Sequence, residues 1–222
     1  MSNLPLFYQN VVPLNREKHG DWRIEPTNSY AFAAKTNSIY IAAVEFSRAV
    51  REYPIVFGKG TEGNVFPVAL LGLKNNQNVF VDGKGNWRAD YIPAYVRRYP
   101  FILAETSQNG ESTFTVCLDE DYSGFTQDGK KGQPLFDSNG EQTDLLRHSM
   151  DFLKEYQGHI QITTAFSRSS RNSIYWKRCA PISRCREARN RHWADSCVSA
   201  AAGSSSLMQK NCQNWCRRIT WS

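Results

Sequence analysis

The run LDEDYSGF, residues 118–125, places Asp119, Glu120 and Asp121 where an apolar, strand-like stretch enters a loop. Carboxylate oxygens suit hard cations such as Ca2+ and Mg2+. A carboxyl drawn out of water can also act as a general acid or base. The spacing is not that of an EF-hand loop, and a solvated acidic turn is the preferred reading. The run NREKHGDW, residues 15–22, sets His19 beside Asp21. Imidazole titrates near neutral pH and can shuttle protons, so His19 joins the acidic run as a candidate acid–base group. A surface or capping role is its preferred reading, because no G-x-S-x-G nucleophile motif accompanies it. His148 and His159 do not form an H-E-x-x-H pair, so neither a metal site nor a cofactor is expected.

The segment DYIPAYVRRYP, residues 90–100, gathers Tyr91, Tyr95, Arg97, Arg98 and Tyr99. Tyrosine and arginine together make recognition surfaces, through stacking and forked hydrogen bonds. Tyr91 and Tyr95 also stand at i, i+4, which favours packing them into the core with the arginines in water. One arginine is expected to pair with the acidic run. Glu45 lies among apolar neighbours and is a candidate buried carboxylate, with exposure the preferred expectation. VDGKGNW, residues 81–87, is glycine-rich but lacks the P-loop pattern and reads as a turn.

These groups need elements to position them. IAAVEFSRAVREYP, residues 41–54, carries Ala43, Phe46, Ala49 and Val50 at helical spacing, and Pro54 stops it. PIVFG, residues 54–58, reads as a buried strand closed by Gly58. VFPVALLGL (65–73) and NVFVD (78–82) flank a polar connection and read as a hairpin. Residues 90–100 read as a short helix with Asp90 as N-cap and Pro100 as stop. FILAE (101–105) and TFTVCLD (113–119) form a second hairpin, followed by a glycine-rich polar loop over 120–142. TDLLRHSMDFLKEYQGH, residues 143–159, puts Leu146, Met150 and Leu153 at helical spacing, with Gly158 near its end. IQITTAF, residues 160–166, fits a strand or a continuation of that helix. Together these predict an α+β fold: a mixed or antiparallel sheet built from hairpins, with two or three helices packed on it.

The chain has 222 residues, enough for one domain or two small ones. No apolar run is long enough to span a bilayer. The N-terminus lacks a basic stretch followed by an apolar one, so the default address is the cytoplasm, with association at the cell envelope left open.

Charge divides the chain. Residues 167–222 hold 11 of the 27 Lys and Arg but only Glu187 and Asp195 among the acids. Residues 1–166 hold 16 basic and 19 acidic residues and give no electrostatic case for nucleic acid. Cys179, Cys185, Cys197, Cys212 and Cys216 also fall in the last part, without zinc-ligand spacing. Residues 1–166 are therefore expected to form the globular domain, incomplete at its C-terminal end. Residues 167–222 are expected to be a poorly packed basic tail. Enrichment in Arg, Ser, Cys and Trp with loss of acids is what reading a gene out of frame gives. The tail's cations between Arg168 and Arg191, with Tyr175 and Trp176 among them, also make nucleic-acid binding a rival function.

PLFYQNVVPLNREKHGDWRI (5–24) and YAFAAKTNSIYIAAVEFSRAVREYPIVF (30–57) resemble the opening of SapC-family proteins. YIPAYVRRYPFIL, CLDEDYSGF and GQPLFDSNGEQTDLL follow in the same order, so the resemblance runs from about residue 5 to about 166. It implies an accessory protein associated with bacterial surface-layer gene clusters, with a role near export and envelope or export proteins as partners. It implies no enzymatic activity. The rival enzyme reading is action on a peptide or saccharide by the Asp119–Asp121 cluster with His19 or Arg97. Dispersal of those side chains favours the accessory protein, and one shared pocket favours the enzyme.

Overall fold

Two antiparallel pairings and one long helix carry most of the architecture. The structure is a computed structural model that describes residues 4–25, 29–60, 64–108, 111–127 and 131–170. Strands β6 (Phe101–Gln108) and β7 (Glu111–Asp119) form the predicted hairpin, in register from Phe101↔Leu118 to Gln108↔Glu111. Strand β1 (Val11–Pro13) pairs with the other edge of β7, Val11 opposite Asp119. Strands β3 (Ser38–Tyr40), β4 (Ile55–Lys59) and β5 (Val65–Leu70) make a second sheet with β5 at its centre. Strand β2 (Arg23–Ile24) lies between the two-residue strands β8 (Phe125–Thr126) and β9 (Gln133–Pro134). The fold is α+β with antiparallel pairing throughout the described residues. It is divided into three small sheets rather than gathered into one.

Among the described residues, three α-helices are single turns: α1 (Arg16–His19), α2 (Phe46–Ala49) and α3 (Ala94–Arg97). Helix α4 (Asp144–Ser170) has 27 residues, about 40 Å of helix. It lies against β5, β6 and a 3-10 turn at Ala43–Glu45. One core joins Ile39, Ile41, Ala69 and Leu71 of the β3–β5–β4 region to Tyr53, Phe80 and Val96. A second joins Leu118 and Phe101 to Ile24, Leu135, Leu146 and Leu153. Each leucine fully removed from water contributes roughly 1.5–3 kcal/mol. Ala42, Ala94 and Tyr156 form a third cluster.

Four expectations are corrected. The partner of residues 65–70 is β4, not residues 78–82. Both edges of β5 are taken, Phe57 facing Pro67 on one side and Tyr40 facing Val68 on the other. Asn78 also turns its side chain back, accepting from the Phe80 N–H (2.9 Å) and donating to the Ala33 carbonyl (3.0 Å). Such local bonds compete with a strand ladder. Gly58 does not close its strand; it lies inside β4, where the Phe66 ring would meet an added Cβ at 3.1 Å. The helix expected from Asp90 begins after Pro93, because Glu52 accepts the backbone N–H groups of Asp90 and Tyr91, both at 2.9 Å.

Gly158 does not end α4 either. An interior glycine costs about 1 kcal/mol relative to alanine. Buried Tyr156 before it and buried Thr163 after it outweigh that, and residues 160–166 continue the helix through Phe166 to Ser170. The expectations for the tail beyond Ser170, including its packing and its cysteines, lie outside the described residues.

Candidate functional site

Asp119 closes β7 with its side chain fully buried. The β1–β7 pairing carries the chain before β1 across it. Asp119 accepts the backbone N–H groups of Gln9 (3.1 Å) and Asn10 (2.8 Å) and the Tyr99 hydroxyl (3.1 Å). The Asp121 N–H approaches at 3.4 Å. A buried carboxylate is tolerated only when so supplied. Burial first, then the charge of Asp119, pushes the Tyr99 phenol above its ordinary value, which keeps it a donor. Asp119 is thus an internal clip, and the solvated acidic turn is corrected at this position. Asp121 is the exposed member of the run.

Glu120 meets His19 across the sequence. Asn15 caps α1 by accepting the Glu17 N–H at 2.7 Å, and the single turn delivers His19 inward, fully buried. The His19 Nε2 lies 3.0 Å from Glu120 Oε1, and Lys18 is ion-paired to the same oxygen. Hydrogen bonds from Lys18, then His19, hold the Glu120 carboxyl below the usual carboxylate range. The charged carboxylate requires a proton on Nε2, and Nδ1 lies 3.0 Å from both the N–H and the carbonyl of Asn15. Trp22 stands edge-on to the ring at 4.8 Å. His19 is therefore neither a surface group nor a partner of Asp21. Lys18 escaped the sequence reading, although its place beside His19 is a signal of a shared carboxylate.

Tyr91 and Tyr95 pack against the first core, as their spacing favours. The Tyr91 hydroxyl donates to Glu45 Oε1 at 2.7 Å. Glu45 also accepts the N–H groups of Ala94 (2.7 Å) and Ala42 (2.9 Å), and only 4% of the residue is exposed. The expectation of an exposed Glu45 is corrected: three converging donors replace its water. Burial, then the hydrogen bond to Glu45, pushes Tyr91 up to about 12.

Arg98 stacks 4.0 Å over the Tyr95 ring, with the Tyr8 and Tyr156 rings at 5.7 and 5.6 Å. Arg97 lies over Phe152 at 5.0 Å, and its Nε donates to the Ile92 carbonyl. Arg98 is half-buried rather than in water. Among the described residues neither arginine is ion-paired to the acidic run, whose Glu120 is taken by Lys18 and His19.

The structure thus brings Asp119, Glu120 and His19 together, with the Tyr99 hydroxyl on Asp119, and places Arg97, Tyr91 and Tyr95 elsewhere, while Asp121 stays exposed. A shallow cleft of about 400 Å3 nearby is lined by Asp21, Arg23, Gln127 and Asp137, but by none of Asp119, Glu120 and His19. Among the described residues no group of three or more His, Cys, Asp or Glu side chains is placed to hold a metal ion. Nor is any helix there long and apolar enough to cross a membrane.

The antiparallel sheets, long helix and internally bonded carboxylates define an α+β protein whose polar centres hold its segments together. Residues 14–172 match the SapC family model, and the chain belongs to the SapC family. The match extends past Phe166, where the resemblance in the sequence fades, and takes in the whole of α4. No curated protein and no solved structure matches the chain.

Proposed function

We propose that this SapC-family protein is a non-catalytic accessory factor of the bacterial envelope, acting through contacts with surface-layer or export proteins. The observation that carries this reading is the saturation of Asp119 by two backbone N–H groups and the Tyr99 hydroxyl. A catalytic carboxylate must keep an oxygen free for substrate or for a proton in transit. Asp119 keeps neither, and His19 is wholly enclosed with both ring nitrogens engaged.

The test is genetic and biochemical together. Deleting the gene is expected to lower surface-layer export, and tagged full-length protein to recover an envelope or export protein from cross-linked cells. Glu120→Gln, confirmed as folded, is expected to restore export to the wild-type level. Loss of export with that folded variant would install the enzyme reading, which the His19–Glu120 pair alone favours. Nucleic-acid binding by the basic tail predicts salt-dependent retention on heparin that disappears on deleting 167–222.

A further inference from the structure

Helix α4 carries several hydroxyl side chains, and they behave differently. Ser149, Thr163 and Thr164 each donate to the carbonyl one turn back, at 2.9, 2.6 and 2.9 Å. This is the ordinary satisfaction of a helical hydroxyl. Ser167 is only 3% exposed, and among the described residues its Oγ has no hydrogen-bond partner. The Tyr40 hydroxyl, from the end of β3, is likewise buried without one. Thr163 comes close enough to oppose the rise that burial imposes on the Tyr40 phenol. Its own hydroxyl donates to the His159 carbonyl and accepts from the Ala43 N–H, and the Tyr40 hydroxyl stays without a hydrogen bond among the described residues.

Tyr40 and Ser167 line one cavity of about 160 Å3 between β5 and the last turns of α4. That is close to the size of an apolar cavity that takes up a benzene-sized guest. Among the described residues its remaining polar wall is Asn64, Arg168 and the threonines, and none of them is acidic. Phe66 and Pro67 supply an apolar side. Two buried hydroxyls are left without a partner, and the exposed Asn64 amide and the exposed Arg168 guanidinium stand at the rim, the latter giving the lining a positive charge. The negative end of α4 is near, but its dipole amounts to about half a charge, less than the full charge on Arg168. Buried hydroxyls without a partner destabilise a fold, and with the Arg168 cation beside them they point to an anionic acceptor that arrives from outside.

We propose that this cavity binds a small carboxylate with a short, branched apolar body. The carboxylate takes hydrogen bonds from Tyr40, Ser167 and Arg168, and the apolar body rests on Phe66 and Pro67. The assignment does not depend on the accessory role proposed above. The same chemistry comes from a free acid or from the C-terminus of a peptide, and the probes separate them.

Full-length protein is titrated with isovalerate, isovaleramide, and a valine-ended peptide with free or amidated C-terminus, followed by amide chemical shifts near Tyr40 and Ser167. Saturable binding of isovalerate, about tenfold or more tighter than of isovaleramide, is expected. Binding of the free-ended peptide alone would assign the site to a chain terminus and also support it. Arg168→Gln is expected to weaken binding about tenfold or more, and Tyr40→Phe and Ser167→Ala several-fold each. The two hydroxyl deletions should leave the ligand-free melting temperature unchanged or raised. Equal binding of acid and amide, no saturable binding, or affinity indifferent to all three substitutions overturns the proposal. So does a lower ligand-free melting temperature in both hydroxyl deletions, which would make those groups part of the fold.

Discussion

Asp119 and Glu45 sit in different places, yet each is buried and accepts two backbone N–H groups and one tyrosine hydroxyl within 3.1 Å, with the Asp121 N–H a longer fourth donor to Asp119. The reach of those bonds separates them. Asp119 draws its two N–H donors from about 110 positions away and so fixes the start of the chain to the end of β7. Glu45 takes one donor from its own turn, at Ala42, and two from the Tyr91–Ala94 segment. A buried carboxylate can therefore be a long-range clip or a local cap extended to a neighbour.

The largest effect is expected at Asp119. Asp119→Ala takes the acceptor from the Gln9 and Asn10 N–H groups and the Tyr99 hydroxyl, a loss of about 4 kcal/mol by urea unfolding. Faster amide exchange is expected at Gln9, Asn10 and β1. A loss below about 1 kcal/mol would mean that water replaces the carboxylate, and the likeness to Glu45 would fail.

Glu45→Gln keeps the shape but turns an amide toward N–H donors, and about 2 kcal/mol should be lost. Its exchange signature belongs at Ala94 and α3. The Tyr91 phenol should titrate below its value of about 12, since the hydrogen bond to Glu45 helps hold it up. In the parent, Tyr91 contributes stability that is present below its ordinary value of 10.0 and is lost as pH rises through the raised one. Alkaline unfolding monitored with tyrosine absorbance checks both points.

A gain is expected at Gly158. A Cβ there meets nothing within 4 Å, so Gly158→Ala should stabilise by about 0.5–1 kcal/mol in a thermal melt. The gain would strengthen the helix behind Glu45 and leave exchange near Asp119 unaltered. The smallest effect concerns Glu120. Its folded value lies below the ordinary 4.5, so its contribution is present above 4.5 and is lost as pH falls through the lower value. The stability difference between parent and Glu120→Gln should shrink with acidification over that range. A difference independent of pH would remove Lys18 and His19 as the cause.

The β6–β7 hairpin was legible because its strands are consecutive and bounded by a polar turn. The partner of β5 was not, because apolar runs lie on both sides of it and the choice falls to the Asn78 side chain and to β3. Asp119 and Glu120 stood out as a charged run, but their burial depends on donors from the distant Gln9–His19 segment. Glu45 was visible as a carboxylate among apolar residues. Its enclosure needed the Tyr91–Ala94 backbone, which no local pattern announces. Arg98 looked solvated because stacking on Tyr95 leaves no periodic trace, whereas Arg97 is exposed as expected although it lies over Phe152.

The unbroken course of α4 through Phe166 bears on how the protein should be trimmed for crystallisation. A stop at the change in composition would leave the Phe166 ring, 6.3 Å from Phe46, on the terminal residue. It would also discard Ser167 and Arg168 with the final helical turn. A shortened version ending after Ser170 retains that turn, and a comparison of the two lengths would measure what those last four residues hold in place.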